Sequence, residues 1–318
     1  MCLYPKLIKN KKYLPNKKNK GNPPTASDER TKLVPVGCGK CIECMKQKKR
    51  NWQIRMSEEI KEDKTGLFVT LTFSNEAFEK LRPDVKVTAK KLWENELATI
   101  AIRRFLERWR KKYKKSVKHW LVTELGHNGT ERIHLHGIIF TDNKEDIEKI
   151  WQYGYVWIGE YVSIKTINYI VKYINKLDTQ HKGYQPKVLC SKGIGKGYLK
   201  KTDANRNKYN GNETKEYYRS SSGHKINLPI YYRNHIYSED ERENLWIKKL
   251  DQNIRYVNGE KVNGDDENTY FSLLEHYREK NKRLGYGDDS EEWDVKEYKR
   301  KKAMLRQVKK IEEMIKYK

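Results

Sequence analysis

Apolar residues recur along this chain with two different periods. From Ile42 to about Glu62, Met45, Trp52, Ile54, Met56 and Ile60 stand at helical spacing in a charged background, and K-E-D-K-T-G closes that helix at Gly66. The run L-F-V-T-L-T-F (67–73) is β-rich and apolar, as a central strand is. Helical period returns over Leu97–Tyr113, with Leu97, Ile100, Phe105, Leu106 and Trp109 on one side and basic residues on the other. Two strand-like runs, H-W-L-V-T-E-L (119–125) and R-I-H-L-H-G-I-I-F (132–140), flank G-H-N-G-T-E, whose Asn-Gly predicts a hairpin. A short helix from Lys144 to Trp151, a strand in Y-V-W-I-G-E-Y (155–161) and a helix through Tyr169–Lys176 complete the order β α β β α β α. That order predicts an α+β fold, an antiparallel or mixed central sheet with helices on one side. Residues 3–37 read as an irregular basic arm, the stretch from Asp178 to Gly223 as loop, and Glu291–Lys318 as a charged surface helix. The linear division is then 1–62 for the arm, cysteine cluster and first helix, 63–180 for a catalytic domain, and 181–318 for a basic C-terminal region.

Charge narrows the function. Lys and Arg number 68 against 43 Asp and Glu, a net charge of +25, which argues against an enzyme of neutral metabolites and for a polyanionic partner, nucleic acid. The 22 tyrosines and eight tryptophans offer surfaces on which unpaired bases stack. No run has the length of a membrane span, and M-C-L-Y-P-K-L-I-K-N-K-K lacks the apolar stretch of a signal peptide, so a reducing cytoplasm is expected. There the five cysteines do not read as a disulfide framework. Cys38, Cys41 and Cys44 form C-x2-C-x2-C, and with Cys2 they make a candidate all-thiolate structural zinc site; the alternative is free buried thiols. Cys190 stands outside the pattern.

Two segments carry candidate chemistry. In a strand, side chains two apart share a face, so His134 and His136 point together while Ile133, Leu135 and Ile139 point away. Closing the hairpin over Asn-Gly brings Glu124 close to level with His134, and the three make a two-histidine, one-carboxylate site for Mg²⁺ or Mn²⁺. On a helix, Tyr169, Lys172, Tyr173 and Lys176 gather into one stripe opposite Ile167, Ile170, Val171, Ile174 and Leu177. The two phenols, four residues apart, are near enough to serve one phosphate in turn, with the lysines neutralising charge; an amphipathic surface helix is the plainer reading of that segment alone.

Taken in order, L-F-V-T-L-T-F, E-R-I-H-L-H-G-I-I-F and Y-I-V-K-Y-I-N-K resemble the three motifs of HUH endonucleases that initiate rolling-circle replication. The paired tyrosines resemble the replication initiators of microviruses. V-P-V-G-C-G-K-C-I-E-C leading into N-W-Q-I-R, then S-K-G-I-G-K-G-Y-L and L-P-I-Y-Y-R, resemble their gokushovirus-like branch. The resemblance spans roughly residues 1–235 and implies a central antiparallel sheet, His134, His136 and Glu124 as metal ligands, and Tyr169 and Tyr173 as nucleophiles. It further implies a phage protein of the host bacterial cytoplasm that nicks one strand of circular DNA, stays linked through a 5′-phosphotyrosine, leaves a 3′-OH primer and rejoins the ends, with host helicase and polymerase as partners. S-K-G-I-G departs from the proline-containing S-x-P-G-I-G, so no role is attached to it. A relaxase or transposase of the same class, and a zinc-stabilised DNA-binding protein without catalysis, are the rival readings.

Overall fold

A computed structural model describes residues 2–86, 90–127, 131–176, 178, 180–181, 184–289 and 294–316. The chain divides into two compact units that do not follow the linear boundaries 1–62, 63–180 and 181–318. One comprises residues 48–206 and 217–232; the other gathers 1–47, 207–216 and 233–318.

The first of these units is built on a five-stranded, wholly antiparallel sheet. Its order across the sheet is Val156–Ile158, Gly66–Leu71, Ile133–Phe140, Lys118–Leu125 and Val188–Cys190. The turn between the two central strands, where Asn-Gly falls, lies outside the described residues, but Gly126 N–H still bonds Arg132 O at 2.9 Å and Glu124 pairs with His134. On one face Val69, Leu71, Leu121, Leu125, Leu135 and Ile139 pack against Leu97, Ala101, Phe105 and Trp109 of the helix Lys90–Tyr113 and against Ile147, Ile150 and Trp151 of the helix Lys144–Trp151. Each such side chain contributes roughly 1.5–3 kcal/mol by leaving water.

The expectation of helices on one side describes only that face. On the other, Trp52 of the helix Ile42–Glu62 meets Trp120 edge to face, and the tyrosine helix lies over His136 and Phe68. A pattern of alternating strand residues conceals this because Trp120, Val122 and Ile138 are as buried as their neighbours. Gly137 sits at the crowded centre, where an added Cβ would fall 2.0 Å from Trp120 O.

The stretch after Asp178 is not plain loop. It supplies the edge strand Val188–Cys190, and S-K-G-I-G has a structural part. There Gly195, at φ +75°, donates its N–H to Glu59 at 2.5 Å and accepts from Tyr232 Oη at 2.8 Å, while Arg55 Nε bonds Ile194 O at 2.9 Å.

In the other unit the N-terminal segment is likewise not an irregular arm. Lys6–Lys9 and Leu33–Val36 pair antiparallel, and Leu3, Tyr4, Leu7 and Leu33 share a core with Val257, Val262, Tyr270 and Leu274. Ile254–Val257 and Glu260–Asn263 form a hairpin whose two turn residues, Asn258 and Gly259, both have positive φ, as such turns require. Among the described residues, no helix is long and apolar enough to cross a membrane.

Candidate metal centre and tyrosine pair

The sheet delivers three side chains to one point. Glu124 and His134 are register partners, His136 lies two residues along the same strand, and both imidazoles turn Nε2 toward one carboxylate oxygen, Glu124 Oε2, at 3.2 and 3.0 Å. Their other nitrogens are occupied: His134 Nδ1 faces Arg132 O at 3.2 Å and His136 Nδ1 faces Thr70 Oγ1 at 3.0 Å. A proton on each Nδ1, donated to those oxygens, leaves the Nε2 lone pairs convergent with the carboxylate, which is how a metal site orients imidazole ligands. The donor set thus fits a divalent ion, with the remaining coordination positions open to water or substrate. Burial opposes the charge of Glu124, but contacts from His134, His136 and Lys176 outweigh it and hold the carboxyl well below the usual glutamate range.

Beside this cluster, the tyrosine segment differs from the single helix expected through Lys176. Ser163 opens the helix Ile164–Ile170 with a capping box to Thr166; the chain turns at Val171 and a short helix Lys172–Asn175 follows. Ile167, Ile170, Val171 and Ile174 are fully buried, as expected of the apolar side, and Leu177 lies outside the described residues. Lys176 is already extended (φ −65°, ψ 122°), and its ammonium bonds Glu124 Oε1 and lies 5.5 Å from the Tyr173 ring centroid. Lys172 is exposed to solvent.

The two phenols are brought together but are not equivalent. Tyr173, 8% exposed, stacks on His136 with centroids 4.5 Å apart and planes at 13°, and donates its hydroxyl hydrogen to Tyr169 Oη at 2.6 Å. Tyr169, 48% exposed, stands at right angles to Tyr173 and edge-on to Phe68. Burial, the bond to Tyr169 and the Glu124 charge together push the Tyr173 phenol well above its ordinary pKa.

Thr70, the Arg132 carbonyl and Phe68 belong to this centre and escape a reading of the sequence, since their role depends on which strands are neighbours. A further group, His127, Asp178 and His181, also escapes it: His181 Nδ1 bonds Asp178 at 2.8 Å, and the three place their ligand atoms within 4.8 Å of one another.

In the other unit the four expected thiols converge. Cys2 and Cys41 sulfurs are 3.9 Å apart, Cys38 and Cys44 sulfurs 4.0 Å apart, close to the edge of about 3.8 Å for a tetrahedron with Zn–S near 2.3 Å. Backbone N–H groups of Tyr4 and Cys38 point at the Cys2 sulfur, and those of Lys40 and Cys41 at the Cys38 sulfur. Contacts with Cys2, Cys41 and Cys44 hold the Cys38 thiol well below its ordinary pKa. The cluster has the donors and spacing for a structural zinc. Cys190 is half-buried in the other unit, outside the cluster.

An antiparallel-sheet unit with a two-histidine, one-carboxylate group and a tyrosine pair against it is the class of site observed. Residues 66–178, which contain all five of those side chains, match the family model of replication-associated proteins named for ORF2 and the gene-2 protein. No curated protein and no solved structure matches the chain.

Proposed function

We propose that this chain initiates rolling-circle replication by nicking one strand of a circular DNA through a tyrosine. The observation that carries the reading is the convergence of Glu124, His134 and His136 beside the hydrogen-bonded Tyr169 and Tyr173, all within the segment similar to replication-associated proteins. A Mg²⁺ or Mn²⁺ ion held by Glu124, His134 and His136 would supply Lewis acidity at a phosphate oxygen. Tyr169 Oη attacks the phosphorus in line, a 5′-phosphotyrosine bond forms, and the 3′ oxygen leaves as the primer end. The Tyr173 hydroxyl, donated to Tyr169 Oη, stabilises negative charge there as the phenol gives up its own proton to solvent. Lys176, bound to Glu124, and exposed Lys172 lie where charge on the phosphate must be balanced. After one nick, Tyr173 serves as the second nucleophile, and the newly released 3′-OH attacks the first adduct to close a circle.

The microvirus-like motifs in the sequence support assigning this activity to a phage of the gokushovirus-like branch, working in the host bacterial cytoplasm with host helicase and polymerase. The test is a labelled single-stranded oligonucleotide incubated with Mn²⁺. Wild type forms an adduct that survives denaturant, and the Tyr169→Phe, Tyr173→Phe double variant forms none. An adduct that persists in the double variant refutes the nucleophile assignment.

A further inference from the structure

Outside the metal centre, the same unit exposes an unusual group of rings. Among its described residues, five of the six large apolar side chains that stand exposed lie between Tyr155 and Tyr169; the sixth is Ile230. Scattered exposed apolar residues need no explanation, whereas a contiguous group does. Tyr155 is 66%, Trp157 46% and Tyr161 77% exposed.

Strand register fixes where these rings point. Trp157 pairs with Thr70, and Thr70 pairs with His136, so the three side chains stand in one row on one face of the sheet. Tyr155, two residues earlier, takes the same face level with Thr72, whose N–H bonds Tyr155 O at 3.0 Å. Two strand spacings, about 10 Å, separate the edge strand from the histidine strand. The Trp157 indole lies over Gly159, where an added Cβ would come 3.1 Å from the ring, and edge-on to Phe68, which itself contacts Tyr169. An aromatic path thus runs from the sheet edge to the exposed phenol.

Charge around the row selects its occupant. Lys165, Lys172 and Lys176 are exposed along the tyrosine segment, with Glu160 the acidic residue at the rim. Rings bordered by ammonium groups suit a strand whose bases stack while its phosphates pair with lysine. We propose that Tyr155 and Trp157 form a stacking platform for the unpaired bases next to the scissile phosphate; this deepens the nicking reading and rests on it.

The test measures binding without cleavage. Fluorescence anisotropy of a labelled oligothymidine is followed with chelator present, in the Tyr169→Phe, Tyr173→Phe background. Adding Trp157→Ala should weaken binding roughly 5- to 100-fold, while Trp157→Phe stays within about threefold. The slope of affinity against salt should not change with Trp157→Ala, because no phosphate contact is lost, whereas Lys165→Ala should reduce it by about one. A strand of the same length lacking bases should bind more weakly than oligothymidine, and Trp157→Ala should narrow that gap. Thermal melting confirms that each variant is folded. If Trp157→Ala binds within twofold of its background, or loses as much affinity for duplex as for single strand, the platform is wrong even where the adduct assay succeeds. Should the adduct assay fail while these binding losses appear, the nicking reading falls and the single-strand surface stands.

Discussion

Tyr173 donates its hydroxyl hydrogen to Tyr169 across 2.6 Å, so the two phenols form one unit with a direction. The acceptor, Tyr169, is the exposed one, and its developing negative charge is the one the bond stabilises. In the proposed reaction Tyr169 is therefore the first nucleophile. Tyr169→Phe should abolish the initial adduct on a single-stranded oligonucleotide, while Tyr173→Phe should slow it about tenfold and leave it on Tyr169. Mass spectrometry of the adduct decides; linkage to Tyr173 in the wild type under single-turnover conditions would reverse the order.

Thr70 orients His136 through a 3.0 Å contact to Nδ1 without reaching the ligand position itself. Thr70→Val keeps the shape and removes the hydrogen-bond partner. Metal affinity should fall about 10- to 100-fold, and the adduct rate should recover as Mn²⁺ is raised. A rate that is low at every Mn²⁺ concentration would show that Thr70 acts by some other route.

Gly137 follows the second histidine because the neighbouring strand leaves no room for a side chain there. A Cβ would meet Trp120 O at 2.0 Å and Leu121 Cα at 2.7 Å, and backbone on both sides of a central ladder does not yield. Gly137→Ala should cost about 2 kcal/mol or more, read as a lowered urea midpoint at unchanged m-value. A variant as stable as wild type would mean that the two strands separate readily at this point.

Glu58 lies buried under Tyr218, Lys201 and Lys61, with hydrogen bonds of 2.6, 2.7 and 2.5 Å. Burial works to raise its pKa, but these three donors outweigh it and lower the pKa below its ordinary 4.5. A carboxyl with a depressed folded-state pKa adds stability that is fully present above the unfolded value and lost as pH falls through the folded one. Glu58→Gln should thus cost about 2 kcal/mol near neutrality, discounted for the part-exposed lysines, and the gap to wild type should shrink below about pH 4.5. Chemical denaturation at several pH values measures it; a gap independent of pH would contradict the ionised assignment.

Zinc at the four thiols should appear as about one equivalent per chain in purified protein, absent from Cys41→Ser. That variant should melt at a lower temperature yet keep its dependence on Mn²⁺ for adduct formation, since the thiol cluster and the His134 centre belong to different units. Unchanged metal content in Cys41→Ser would rule out the thiolate site.

The sequence made the tyrosine-bearing unit readable wherever one local pattern dominated. Ile42–Glu62 and Lys144–Trp151 follow from apolar spacing, and the Asn-Gly signal sets the register that brings Glu124 level with His134. The cysteine spacing likewise pointed to Cys2, which lies beside the other three thiols. Other features depended on remote neighbours. Thr70 and Trp157 gain meaning only once their strands are known to flank His136, and Val171 interrupts a pattern whose periodicity continues through it. The polar N-terminal segment concealed a strand because its apolar partners, Val257, Tyr270 and Leu274, lie more than two hundred residues away. The hairpin at Asn258–Gly259 is a different kind of miss, since it carries the same Asn-Gly signal that was read correctly earlier in the chain.

The order in which the segments of each unit are made has a consequence for synthesis. Every residue of the unit that holds the tyrosine pair lies before residue 233, so that unit can be complete while the ribosome is still translating. The other unit has to wait: Cys2 and its strand are made first, but the buried Asn281 whose carbonyl caps Ile42 N–H at 2.8 Å is among the later residues to emerge. During that interval a nascent chain carries an assembled tyrosine centre beside an N-terminal segment still without its core.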